Sequence, residues 1–179
     1  PERMPLLRQD KESGLSARII FLDIDGVLNS TRTCIAAGGY PGEELEAKDL
    51  ARFDWIAIGL LRRLCESSGI QIVLSSSWRI NVDIKKLGDA LGLPIIDKTP
   101  VLAASRGREI AWWLNEHPEV EQWAIIDDDS DMLDSQRSRF VRTDGHEGYS
   151  WVNHLELCDI FGESAYAGEA VTRGQFVIL

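Results

Sequence analysis

The chain has 179 residues, a formal net charge of -10 and a 44% hydrophobic content. That length suits one domain with a well-buried core, and no apolar run approaches the roughly 20 residues needed to span a bilayer. The acidic balance argues against a broad nucleic-acid-binding face, which needs clustered Lys and Arg, but leaves room for a local basic patch.

Residues 1–16 are polar and mixed in charge, which predicts a flexible N-terminal tail before a single domain over 17–179. Ile19–Leu22 is an apolar run that reads as a buried central strand. It stops at Asp23-Ile24-Asp25-Gly26. Two carboxylates one residue apart repel, so the pair predicts a metal site, an acid/base couple, or both. The plainer alternative is a solvated strand end with acidic caps. Gly38 to Gly42 suggests a loop. Phe53–Ser67 then has apolar residues at helical spacing, with Gly69 as its stop. Cys65 falls on the apolar side of that helix. With Cys34 and Cys158 it suits reduced thiols in a cytoplasmic protein rather than a disulfide framework.

A second buried strand, Ile70–Leu74, ends in Ser75-Ser76-Ser77-Trp78-Arg79. By itself this serine run reads as a helix-capping turn. A helix near Val82–Leu91 follows, then Leu93–Ile96 as an edge strand, placed there by Pro94. Arg106-Gly107-Arg108 leads into a helix over Glu109–Glu116, closed by Pro118. Trp123–Ile126 is a fourth strand and ends in Asp127-Asp128-Asp129-Ser130-Asp131. Phe140–Val141 is a fifth, followed by Asp144-Gly145-His146 and a helix over Ser150–Phe161. Strands alternating with helices predict an α/β fold. The expected form is a single Rossmann-like three-layer α/β/α domain with a mostly parallel five-stranded sheet. All the reactive clusters then converge on one sheet edge, where such folds bind ligands.

Four clusters stand in a fixed order: Asp23-x-Asp25-Gly26, Ser75 after a strand, Arg106-Gly107 before a helix, and Asp127-Asp128 after a strand. This order resembles the haloacid dehalogenase-like (HAD) superfamily, over about residues 18 to 160. The stretches Phe-Leu-Asp-Ile-Asp-Gly-Val-Leu-Asn, Ile-Val-Leu-Ser-Ser-Ser-Trp-Arg and Ile-Ile-Asp-Asp-Asp look more narrowly like the small HAD domains associated with RNA-repair proteins.

The chemistry that goes with these residues is phosphomonoester hydrolysis. Asp23 is the candidate nucleophile, forming an aspartyl-phosphate. Asp25 is the candidate acid and base. A Mg2+ ion would take oxygen ligands from Asp23, the backbone carbonyl of Asp25 and an acid of the fourth cluster; the resemblance implies Asp128 as the direct ligand, with Asp127 bound directly or through water. Asp131 is a less determined ligand. Ser75 is the expected phosphate donor, with Ser76 and Ser77 as substitutes. The family's usual lysine clamp is matched here by Arg106, with Arg108 and Lys98 as alternatives. Trp78 and Arg79 are the best candidates for lining the site, and His146 is a possible substrate contact.

The intervals Asn29–Phe53 and Arg79–Arg106 are too short for a cap domain, so the site is expected to be open. Within the superfamily an open site goes with large substrates. The resemblance therefore implies a polynucleotide end, with a 3′-phosphate first. A small-metabolite or nucleotide phosphatase and a non-catalytic binding module are the alternatives.

Overall fold

The computed structural model describes residues 17–40 and 47–166. The predicted tail, residues 1–16, lies outside the described residues, as do Pro41 and Gly42. In chain order the elements are β1 (Ala17–Leu22), α1 (Thr31–Ala36), α2 (Trp55–Ser68), β2 (Gln71–Leu74), α3 (Ile84–Leu91), β3 (Ile95–Lys98), α4 (Arg106–Glu116), β4 (Val120–Asp127), β5 (Phe140–Arg142) and α5 (Trp151–Phe161). Short 3-10 turns cover Ala47–Arg52, Ser77–Ile80 and Asp134–Arg139.

The five strands are all parallel, in the order β3-β2-β1-β4-β5. The expected Rossmann-like three-layer α/β/α architecture is present, with β3 and its preceding proline on an edge. Alternation along β1 sorts its side chains. Ile20 and Leu22 join the core built with α2, α3 and α5, whereas Ile19 and Phe21 join Ile110 and Trp113 of α4. Gly69 and Gly92 end α2 and α3 in the left-handed conformation.

Several elements differ from expectation: β3 spans Ile95–Lys98 rather than Leu93–Ile96, and β5 ends at Arg142 rather than Val141. Helix α1 is only six residues long with Cys34 as its buried residue, too little for a periodic signal. β4 starts three residues before Trp123. Helix α4 begins at Arg106 rather than Glu109: its N-cap Ser105 makes no side-chain cap, and Asp131 accepts from the Arg106 backbone N–H at 2.8 Å instead. A carboxylate from a distant loop replaces the local cap. Among the described residues neither interval flagged for a cap holds one, and the second is filled by α3 and β3.

All three cysteines are free and buried. Burial pushes the Cys65 thiol up to about 12, with Glu66 adding to it, so it stays an inert thiol. Among the described residues no helix is long and apolar enough to cross a membrane.

Candidate active site

Strand parity decides which acids meet. Asp23 lies two residues beyond Phe21, and Asp127 two beyond Ile125, so both follow residues that face α4. β1 and β4 pair Leu22 with Ile126, and the Asp23 N–H donates to Ile126 O at 3.0 Å. The two aspartates therefore emerge side by side. Arg106, on the first turn of α4, reaches both: one guanidinium nitrogen lies 2.9 Å from Asp23 Oδ1 and 3.0 Å from Asp127 Oδ2.

One arginine does not neutralise this site. Asp23 is raised above the usual carboxylate range by burial, only partly offset by Arg106 and Ser76. Asp127 is raised to about 7 by burial and then by Asp23. Burial also raises Asp128. For Arg106 burial acts against the charge, but Asp127 and Asp23 together outweigh it and hold the guanidinium charged. One ligand atom each from Asp23, Asp127 and Asp128 lies within 4.8 Å of the others. Three hard oxygen donors with excess negative charge fit a divalent cation such as Mg2+.

Asp128 is held in place by absent side chains. A β-carbon on Gly26 would sit 2.2 Å from Asp128 Oδ2, and one on Gly145 would sit 2.5 Å from it. The carboxylate thus occupies a slot between the turn after β1 and the loop after β5. Gly107 has a related role: a β-carbon there would meet Gln136 Oε1 and Leu133 N, both at 2.6 Å. The start of α4, and Arg106 with it, can therefore approach the loop after β4 closely.

Asp25 has a different setting. It is exposed, and its carboxylate accepts from Asn29 Nδ2 at 2.7 Å and from Trp78 Nε1 at 2.9 Å. Neutral donors orient it, and its carboxylate stands outside the three-aspartate cluster.

The remaining sequence candidates divide. Ser75, the expected donor, is fully buried, and its Oγ has no partner among the described residues. The Ser76 side chain lies near enough to Asp23 to favour its carboxylate form and accepts from the Trp78 N–H at 3.3 Å, while Ser77 lines the cleft. Within the serine run, Ser76 is the residue that meets Asp23. Arg79 does not line the cleft. It is 5% exposed and bound to Ser75 O at 2.9 Å, Ser76 O at 2.7 Å and Glu109 at 2.6 Å. Lys98 donates to Arg79 O at 2.6 Å, and Arg108 is exposed. Neither reaches the acids, whereas Arg106 does. Asp131 caps α4 rather than joining the metal-type cluster, and His146 lies on the cleft wall.

The cleft measures about 740 Å3 and runs over the ends of β2, β1, β4 and β5. Its walls include Asp129 and Asp144 of the strand-end clusters, and also Thr31, Tyr40 and Arg142, which no motif singles out. A family model describing the HAD domain in Swiss Army Knife RNA repair proteins matches residues 19–153. The chain belongs to that family. Comparison with curated proteins and with solved structures finds no match. Membership supports a HAD-type phosphatase in general. The four motif clusters of this HAD domain sit at the ends of β1, β2 and β4 and at the start of α4.

Proposed function

We propose that this HAD domain is a divalent-metal-dependent phosphomonoester hydrolase that works through an aspartyl-phosphate, with a nucleic-acid end bearing a 3′-phosphate as substrate. The observation that carries this reading is the contrast between its first two acids. Asp23 is buried, paired with Arg106 and clustered with Asp127 and Asp128, while Asp25 is exposed and oriented by neutral donors. A nucleophile needs the first environment and a proton carrier the second.

Asp23, Asp127 and Asp128 would hold the metal, with Asp25 contributing through its backbone carbonyl. When bound, Mg2+ supplies charge neutralisation between the carboxylates and an incoming phosphate. An Asp23 oxygen attacks phosphorus, and the bond from phosphorus to the leaving oxygen breaks as Asp25 gives that oxygen its proton. Asp25, now a carboxylate, takes a proton from water. That water attacks phosphorus and releases Asp23 and inorganic phosphate. Arg106 favours the ionised form of Asp23 against the effect of burial and aims its carboxylate, and can pair with phosphate oxygens in a bidentate way.

The polynucleotide end rests on the family's association with RNA repair and on the open cleft. The buried free thiols suit a reducing, cytoplasmic setting. The test measures release of phosphate with Mg2+ and with chelator, from an aryl phosphate, 3′- and 5′-phosphorylated oligonucleotides, and mononucleotides. Mg2+-dependent turnover with the 3′-phosphorylated oligonucleotide ahead is expected. No turnover of any substrate would make the domain a binding module, and a lead for free mononucleotides would move it to small molecules.

A further inference from the structure

The cleft extends beyond the groups the reaction uses. Asp127 pairs in register with Arg142 of β5, so Arg142 stands one strand outward from the reacting carboxylates. Its Nε donates to the Asp128 backbone carbonyl at 3.2 Å, which fixes the head of the side chain. Its two terminal nitrogens have no partner among the described residues, although Asp128, Asp129 and Asp144 line the same cleft. A guanidinium anchored at one nitrogen and open at the other two is built to take an anion with its free edge.

Tyr40 lines the same cleft and is 60% exposed. Its hydroxyl donates to Thr31 Oγ1 at 3.2 Å. The Thr31 N–H donates to Gly145 O at 3.0 Å and the Arg32 N–H to His146 O at 3.1 Å. These bonds tie Tyr40 to the loop that follows Arg142, so the ring and the guanidinium belong to one connected wall. A tethered, exposed ring in the same cleft as an open guanidinium suits a flat base and a phosphate.

We infer that Tyr40 and Arg142 form a leaving-group subsite, which takes a nucleotide carrying a second phosphate besides the one removed. The inference rests on the hydrolase reading above and adds the residues that select the leaving group. The shared chemistry is that of a free nucleoside bisphosphate or of the last two nucleotides of a chain.

The experiment compares kcat/KM for a nucleoside 3′-phosphate, a nucleoside 3′,5′-bisphosphate and a 3′-phosphorylated dinucleotide, in the unaltered protein, Arg142→Gln and Tyr40→Leu. The expected result is a preference of about tenfold or more for substrates with the second phosphate, falling towards unity in Arg142→Gln. Tyr40→Leu is expected to lower kcat/KM for the nucleotides relative to a sugar phosphate lacking a base. A dinucleotide well ahead of the bisphosphate assigns the subsite to a chain end; parity assigns it to either source. Turnover of all three substrates at equal kcat/KM, or a preference unchanged in Arg142→Gln, overturns the subsite while leaving the hydrolase reading intact. Absence of all turnover instead removes the hydrolase reading.

Discussion

The indole N–H of Trp78 donates to Asp25 Oδ2 at 2.9 Å, and the ring that carries it packs edge-on against Phe53 with centroids 5.7 Å apart. The 3-10 turn Ser77–Ile80, capped by Ser76, sets the indole there. Trp78 therefore fixes where the Asp25 carboxyl group points, and under the proposed hydrolysis it would be a positioning residue for that acid. Trp78→Phe keeps an aromatic ring against Phe53 and removes the donor. We expect kcat to fall about tenfold with little change in KM, on the scale of misplacing one acid–base group. The loss should be larger for alkyl phosphates than for nitrophenyl phosphate, whose leaving group needs less protonation. Equal losses across leaving groups would remove Asp25 orientation as the cause.

Gly145→Ala tests the slot for Asp128 without the added strain of a left-handed backbone. The new methyl would sit 2.5 Å from Asp128 Oδ2, so the carboxylate must move. Metal affinity, read from the rise in Tm on adding Mg2+, should weaken about 10- to 100-fold, as when a partner that orients a metal ligand is lost. An unchanged affinity would mean that Asp128 is not a ligand.

The raised acids predict an unusual pH profile for the metal-free protein. Asp127 titrates near 7 when folded and near 3.8 when unfolded. Between those values the folded state binds more protons, so this residue's stabilising share is full below about 4 and is lost as pH rises through 7. Tm of the metal-free protein should fall across that interval, Mg2+ should restore it at neutral pH, and Asp127→Asn should flatten the slope. A metal-free Tm that rises steadily from pH 5 to 7.5 would contradict the arrangement.

The sheet and the acids were legible in the sequence because both are local. Apolar runs that end in Asp23, Ser75 and Asp127 give the strand, its parity and the edge together. Long-range partnerships were not legible. Nothing near Arg79 reveals that its guanidinium is buried against Glu109, and nothing near Asp131 reveals that it caps α4. Arg142 lies one residue past the apolar pair Phe140–Val141, where hydropathy gives no strand signal; alternation from Phe140 sets it on the face shared with Asp127. In the serine run three identical neighbours hide the register, and the turn after β2 rather than strand parity brings Ser76 to Asp23.

The Arg79–Glu109 pair gives a stability prediction. Both side chains are nearly inaccessible, at 6% and 5%, and Glu109 also accepts from the Leu102 N–H. Glu109→Gln leaves a buried guanidinium without its counter-charge, which should cost about 3–5 kcal/mol in urea unfolding. The serine turn that Arg79 holds by two carbonyls should loosen with it. A cost below about 1 kcal/mol would show that the pair is effectively solvated.

The role of Asp23 is tested most directly by acid-quenched peptide mass spectrometry during turnover of an aryl phosphate with Mg2+. The expected result is one phosphoryl group on the peptide containing Asp23, with both the adduct and phosphate release absent in Asp23→Asn. Undiminished turnover in Asp23→Asn, with no phosphoryl group on that peptide in the unaltered protein, would contradict the account.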